Sequence, residues 1–253
     1  MTSTAVFFDL DNTLLRGTAL IQLGRGLHAR GYLSARTMMR AAWLEAWYRA
    51  TGAEHAGHTI EARDTVLSLI AGRDVEVFGQ HCAEIFAERI VGRFCDEAVA
   101  LSQDHLTAGH DVWLVTASPV EIAELCAQHL GFTGGLGTIA ERADGAYTGR
   151  LHNGLLHGPA KAVAVQGLAD DHGYDLAESY AYSDSINDLP MLQLVGKPHA
   201  VNPDSRLREH AQRHDWLIHD FHDGGNKVRR RITRSVVAGA SIALAARAIV
   251  RWG

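Results

Sequence analysis

The spacing of apolar positions changes twice along the chain. Ala5-Val6-Phe7-Phe8 is an unbroken apolar run that stops at Asp9, which predicts a short strand buried on both faces. From there to about residue 95 the apolar positions recur at intervals of three and four, as they do on helices. Leu20, Leu23 and Leu27 form one such stripe, and Met38, Met39, Ala42, Trp43, Ala46 and Trp47 form another. Further helices are predicted over 60–70 and over 75–93, where Val77, Phe78, Cys82, Ile85, Phe86 and Ile90 keep the period. Gly52, Gly57 and Gly72 punctuate them, and Trp43, Trp47 and Tyr48 read as the core of a small helical unit.

Beyond residue 95 strands and helices alternate. A helix over 96–108 stops at Gly109, and Asp111–Thr116 is a second buried strand. Pro119 suits the first turn of a helix over 120–130 that Gly131 closes. The Gly-rich stretch 134–155 suggests a hairpin, and Pro159 opens a helix carrying Lys161 near its start. Residues 179–183, 197–201 and 215–219 read as further strands, with a helix over 203–214 between the last two. This alternation implies an α/β fold, a Rossmann-like doubly wound parallel sheet with an all-helical insertion after its first strand. Ligands of such sheets bind outside the carboxyl ends of the strands. Asp9, Thr116 and Asp184 each end a predicted strand, so they are expected to converge.

Composition narrows the picture. The chain has 253 residues, 47% of them hydrophobic, enough for a large domain or two smaller ones. Its formal charge of -5 is unevenly spread. From Asn226 onward there are seven basic residues and no acid, and the remainder holds 17 basic against 29 acidic residues. An acidic body argues against nucleic acid as a partner. Three cysteines with no metal or redox spacing read as reduced, buried thiols of a cytoplasmic protein, and no signal peptide is visible. The fifteen histidines read as surface or locally bonded residues rather than zinc ligands.

Candidate chemistry concentrates in four places. Asp9 and Asp11 lie two apart at a strand end and share a face, an arrangement suited to a nucleophile and an acid/base beside a hard cation. A capping Asp pair is the competing explanation. Asp184 and Asp188 flank Asn187, again hard oxygen donors that suit Mg²⁺, or else an Asp-rich turn. Thr116 offers a hydroxyl just before a helix start, which favours an anion, and Lys161 offers a positive charge.

Asp9-Leu10-Asp11-Asn12-Thr13, Val115-Thr116-Ala117-Ser118, Lys161 and Ser183-Asp184-Ser185-Ile186-Asn187-Asp188 resemble, in order, the four motifs of the haloacid dehalogenase superfamily. The second Asp of the first motif resembles that of its phosphatases, and the helical insertion resembles the cap of the branch containing phosphoserine phosphatase. The resemblance implies a Mg²⁺-dependent phosphomonoesterase. Asp9 would be the nucleophile, Asp11 the acid and base, and Thr116 and Lys161 would hold the phosphoryl oxygens. Asp9, the main-chain carbonyl of Asp11, Asp184 and Asp188 would form the metal site, and Asn187 and Ala117 would contact substrate. Cap residues such as Arg40 would line the pocket. The implied division is a core of 1–16 and 96–222, a cap of 17–95 and a tail of 223–253. Two departures weaken phosphoserine itself as substrate. Thr18 stands about where those enzymes carry a Glu that meets the substrate amine, and Ala117 and Ser118 replace glycines.

The tail joins Lys227–Arg234 to twelve uncharged residues, then Arg247 and Arg251-Trp252. That is short of the roughly 20 residues needed to span a bilayer, but suits a helix lying on an anionic surface. The expectation is therefore a cytoplasmic phosphatase of a small phosphorylated substrate of the phosphoserine or histidinol phosphate kind. Three alternatives stay open: a lipid-linked phosphate as substrate with membrane contact through the tail, a phosphotransferase, and a non-catalytic anchored module.

Overall fold

The computed structural model describes residues 3–33 and 70–221, with the backbone of 227–228. Strand β1 (Ala5–Phe8) is wholly buried and is an interior strand, third in order, of a seven-stranded sheet. Around it lie β2 (Asp111–Pro119), β3 (Gly134–Thr138), β6 (Tyr180–Ser183), β7 (Lys197–Val201), β8 (Leu217–Asp220) and β9 (Lys227–Val228). The order is β3-β2-β1-β6-β7-β8-β9, parallel throughout except for the β8–β9 pair. A separate antiparallel hairpin joins β4 (Ala140–Ala143) to β5 (Ala146–Leu151).

Alternation along β1 divides the core in two. Val6 and Phe8 face one apolar layer and Ala5 and Phe7 the other, so a strand without polar residues serves both sides. The first layer is covered by α1 (Ala19–Ala29), α2 (Val75–Ile85), α3 (Asp96–Thr107) and α4 (Val120–Leu130). The second is covered by α5 (Pro159–His172), α6 (Leu189–Leu192) and α7 (Ser205–Arg213). This is the doubly wound arrangement expected from the alternation of strands and helices.

Several elements differ from their sequence expectation for identifiable reasons. The helix expected over 75–93 is α-helical only to Ile85, then passes through a π segment (Phe86–Ile90) and a 3₁₀ turn (Val91–Arg93). Phe86 and Ile90 are buried within the π segment, a spacing an α-helix would satisfy equally well. Pro119 ends β2 and caps α4 rather than sitting inside its first turn. Within the Gly-rich stretch only 140–151 forms the hairpin, because Gly134–Thr138 joins the main sheet beside β2. Its glycines are required there: a Cβ on Gly135 would lie 2.5 Å from the Ala123 carbonyl, and one on Gly137 2.6 Å from Val120 Cα. Helix α4 can rest directly on β3 for that reason. The helices expected around Met38–Trp47 and over most of 60–70, and the tail beyond Val228, lie outside the described residues. Cys82, Cys95 and Cys126 are buried free thiols, as expected.

The histidines form the least expected feature. His105 Nδ1 lies 2.9 Å from His110 Nδ1, and His105 Nε2 lies 2.7 Å from the Tyr182 hydroxyl. His199 Nδ1 lies 2.9 Å from His219 Nε2, with the two rings stacked. Tyr182 joins the pairs and stacks on Phe8 at 4.3 Å. Burial, aided by His219 and His105 beside it, pushes His199 down to about 3. Burial, aided by His110, takes His105 down to about 4. A histidine held neutral below its ordinary value contributes stability that is complete above about pH 6.5 and lost as pH falls toward the folded-state value. Buried Asp9 and Asp184 act in the opposite direction, so the acid limb of the parent protein alone does not isolate the effect. We predict that the stability difference between the parent protein and His199→Gln, measured by urea unfolding, shrinks by a few kcal/mol from pH 7 to pH 4. A difference independent of pH would contradict it.

Candidate active site

The carboxyl ends of β1, β2 and β6 bring Asp9, Thr116 and Asp184 to one edge, and α5 adds Lys161 from its first turn. The Asp9 main-chain N–H bonds to the Tyr182 carbonyl at 2.9 Å, continuing the β1–β6 pairing one step beyond the strand. Its carboxylate accepts a 2.6 Å hydrogen bond from Lys161 Nζ, which also donates to Asp188 Oδ2 at 2.7 Å. Lys161 is 3% exposed, Asp9 6% and Asp188 3%, so the bridge is shielded from water. Ser183 Oγ donates to the same Asp188 oxygen at 2.7 Å.

Charge does not balance in this cluster. Burial, reinforced by Asp188 and Asp11 and opposed by Lys161, raises Asp9 to about 7. Burial, with repulsion from Asp9 and Asp188, raises Asp184 to about 8. Burial alone would lower Lys161, but Asp9 and Asp188 outweigh it and hold the ammonium charged. One fixed cation thus faces three carboxylates, an anionic excess that a second cation would relieve. The donors are hard oxygens, the set a magnesium ion takes, commonly through one or two carboxylates with water completing its shell. Among the described residues no three His, Cys, Asp or Glu side chains close into a cage of their own.

Asp11 sits on the loop after β1, where Asn12 adopts a left-handed conformation (φ 57°) and its N–H bonds to the Gly17 carbonyl at 3.1 Å. Asp11 Oδ1 accepts the Ala19 N–H at 2.8 Å, placing the carboxylate at the amino end of α1. Thr116 is 1% exposed, and its Oγ1 accepts the Ser118 N–H at 3.1 Å. The Ala117 carbonyl accepts from Thr138 Oγ1 at 2.7 Å, which pins the loop to β3. Asn187 lies on the 3₁₀ turn Ile186–Asp188, and its N–H bonds to Ser185 Oγ at 3.2 Å. The structure therefore gathers Asp9, Asp11, Thr116, Ala117, Lys161, Asp184, Asn187 and Asp188 at one edge. Arg40 lies outside the described residues.

Two supporting residues escaped the sequence reading. Asp204 accepts the Ile186 N–H at 2.8 Å through one oxygen and caps α7 through the other, while its own N–H bonds to the Asp184 carbonyl. Asn202 donates to the Asn12 carbonyl at 3.3 Å and accepts the Phe221 N–H at 2.7 Å. The Asn-Pro-Asp-Ser run before α7 marks a helix cap, but nothing in it shows that the cap also braces another strand's loop. A cavity of about 260 Å³ lies beside Asn12, bordered by Arg16, Glu97 and Asn202, and neither Asp9 nor Lys161 lines it.

Comparison with known proteins accords with this geometry. Residues 6–193 match the family model for haloacid dehalogenase-like hydrolases. A Mycobacterium tuberculosis protein named phosphoserine phosphatase SerB1 is 42% identical over 239 residues, spanning 94% of this chain and 78% of that protein. A histidinol-phosphatase from Neisseria meningitidis is 28% identical over 222 residues, 85% of this chain and 97% of that protein. A crystal structure of a Bordetella pertussis protein of unknown function superposes with a TM-score of 0.76 at 30% identity, covering 86% of this chain and 98% of that one. The chain belongs to the haloacid dehalogenase-like hydrolase family and is a phosphatase of its phosphoserine phosphatase-like kind.

The buried bridge generates a stability prediction. Lys161→Met leaves Asp9 and Asp188 without their shared cation and should cost about 3–5 kcal/mol in urea unfolding at pH 7.5. A loss below about 1 kcal/mol would show that the two carboxylates are satisfied without it.

Proposed function

We propose that this member of the family is a cytoplasmic, magnesium-dependent phosphomonoesterase that hydrolyses a small soluble ester of the phosphoserine or histidinol phosphate kind. The reaction passes through a phosphate carried on Asp9. What supports the reading is the Asp9–Lys161–Asp188 bridge at the carboxyl edge, a buried carboxylate held at a strand end with its charge offset from one side. Asp9 attacks phosphorus, the bond to the leaving oxygen breaks, and Asp11 delivers its proton to that oxygen. Water then attacks the same phosphorus and gives its proton to Asp11, the bond to Asp9 breaks, and inorganic phosphate leaves. Lys161, Thr116 and the main chain at Ala117 hold the phosphoryl oxygens, and Asn187 orients them from the opposite loop. Asp9, the Asp11 carbonyl and Asp184 would hold Mg²⁺, with Asp188 in support. Bound there, the ion supplies charge neutralisation of the phosphoryl group as it transfers. Residues 17–95, including Arg40, form the cap over this edge in the same reading.

The tail also has a place in this account. Among the described residues no helix is long and apolar enough to cross a membrane. Strand β9 runs antiparallel to β8, so at Val228 the chain heads toward the amino ends of the parallel strands, away from the catalytic edge. Peripheral contact of the basic tail with an anionic surface therefore accords better with a diffusible substrate than with a lipid-borne one.

The test is phosphate release from a panel of phosphomonoesters by the full chain. Activity should require Mg²⁺, vanish with EDTA and return on adding the metal back. Asp9→Asn should lower kcat by at least about 10³-fold, equivalent to roughly 4 kcal/mol of barrier. Retention of parent-level turnover in Asp9→Asn would overturn the mechanism.

A further inference from the structure

The β4–β5 hairpin stands apart from the main sheet and is fastened from two sides through one residue, Tyr147. It turns at Asp144-Gly145, both with positive φ (50° and 80°), as a two-residue Asp-Gly turn requires. Beyond the turn it pairs with the lead-in to α2. The Gly72 N–H bonds to the Tyr147 carbonyl at 2.8 Å, the Tyr147 N–H to the Arg73 carbonyl at 3.0 Å, and the Val75 N–H to the Gly145 carbonyl at 2.9 Å. The Tyr147 ring is buried and meets Phe78, in the first turn of α2, edge to face at 5.3 Å.

The same side chain reaches α4. Its hydroxyl donates to Glu121 Oε1 at 2.6 Å, and Arg142 Nη2 donates to that oxygen at 2.8 Å. Burial, with Glu121 beside it, raises the Tyr147 hydroxyl above its ordinary value, so it stays protonated as the donor. Glu121 lies in the first turn of α4, two residues after Pro119. No loose joint separates that turn from Thr116. Proline fixes its own backbone, and the Ser118 N–H bonds to Thr116 Oγ1 at 3.1 Å. The Ser118 carbonyl and Val120 lie so close to Gly137 that a Cβ there would stand within 2.9 Å of both. On the opposite side, Phe78, Cys82 and Ile85 of α2 sink into the apolar layer of Val6 and Phe8, and Ile85 abuts Gly26 of α1. The amino end of α1 holds Asp11. Tyr147 therefore links the helix pair that carries Asp11 to the helix that follows Thr116.

We propose that Tyr147 is a positioning residue for phosphoryl transfer: through Glu121 it fixes the Thr116–Ala117 loop at the spacing from Asp11 at which the acid reaches the leaving oxygen. This rests on the phosphatase reading above, in which that loop holds the phosphoryl oxygens and Asp11 protonates the departing group. Loosening the link separates phosphorus from the acid, and the loss falls on leaving groups that need the proton.

Phenyl phosphate and p-nitrophenyl phosphate test this with the full chain and Mg²⁺, because the first leaves poorly without a proton and the second leaves well without one. Tyr147→Phe removes the hydroxyl, keeps the ring on Phe78 and leaves Glu121 paired with Arg142. It should lower kcat/KM for phenyl phosphate at least about fivefold more than for p-nitrophenyl phosphate. Glu121→Ala should shift the same ratio, and the double variant should shift it no further. Glu121→Gln keeps the acceptor and should retain most of the parent ratio. Melting temperatures report folding separately. An unchanged ratio in folded Tyr147→Phe or Glu121→Ala, an equal fall on both esters included, would overturn the proposal and leave the phosphatase reading standing. Turnover of p-nitrophenyl phosphate alone by the parent protein, or of neither ester, would overturn it too. Only silence across the wider panel of phosphomonoesters as well would remove the phosphatase reading.

Discussion

Lys161 is the hinge of the architecture. Its ammonium is buried between Asp9 at the end of β1 and Asp188 beyond the end of β6, so one side chain from α5 ties together segments 152 and 27 residues away. Burying any one of these charges alone would cost several kcal/mol, and each is tolerated only because the others are in place. Even so, the cluster remains short of positive charge. That shortage is what suits the edge to a divalent cation and to the further negative charge of a phosphoryl group.

The scaffold keeps the bridge in register through short, local devices. Gly158, with φ 55°, turns the chain into α5 so that Lys161 falls within its first turn. Ser183 and Asp204 hold the loop carrying Asp184 and Asp188, and Asn202 holds the loop carrying Asp11 through the Asn12 carbonyl. The glycines of β3 allow α4 to lie against that strand, and Thr138 at its end reaches the Ala117 carbonyl of the paired strand β2. Each loop of the site is therefore fastened to a neighbouring strand or helix rather than left to its own backbone preferences.

Much of this was legible in the sequence. An apolar run ending in a carboxylate or hydroxyl side chain marks the end of a buried strand, and three such ends on a parallel sheet lie at one edge, which is how Asp9, Thr116 and Asp184 were expected to converge. Lys161 was legible only through its order among the other motifs, since a lone lysine near a helix start has no distinguishing pattern. The π segment at 86–90 was not legible, because Phe86 and Ile90 satisfy an α-helical spacing equally well. The His105–Tyr182 and His199–His219 contacts depend on strand order and register, which no local pattern encodes.

The central claim is that Asp9, cradled by Lys161, carries the phosphoryl group. Borohydride reduction of enzyme quenched during turnover converts an acyl phosphate to an alcohol, and mass spectrometry of the digested protein locates the change. The account predicts homoserine at position 9, absent when substrate is omitted. Steady turnover with Asp9 unmodified, or with the change at Asp11 or Asp184 instead, would contradict it.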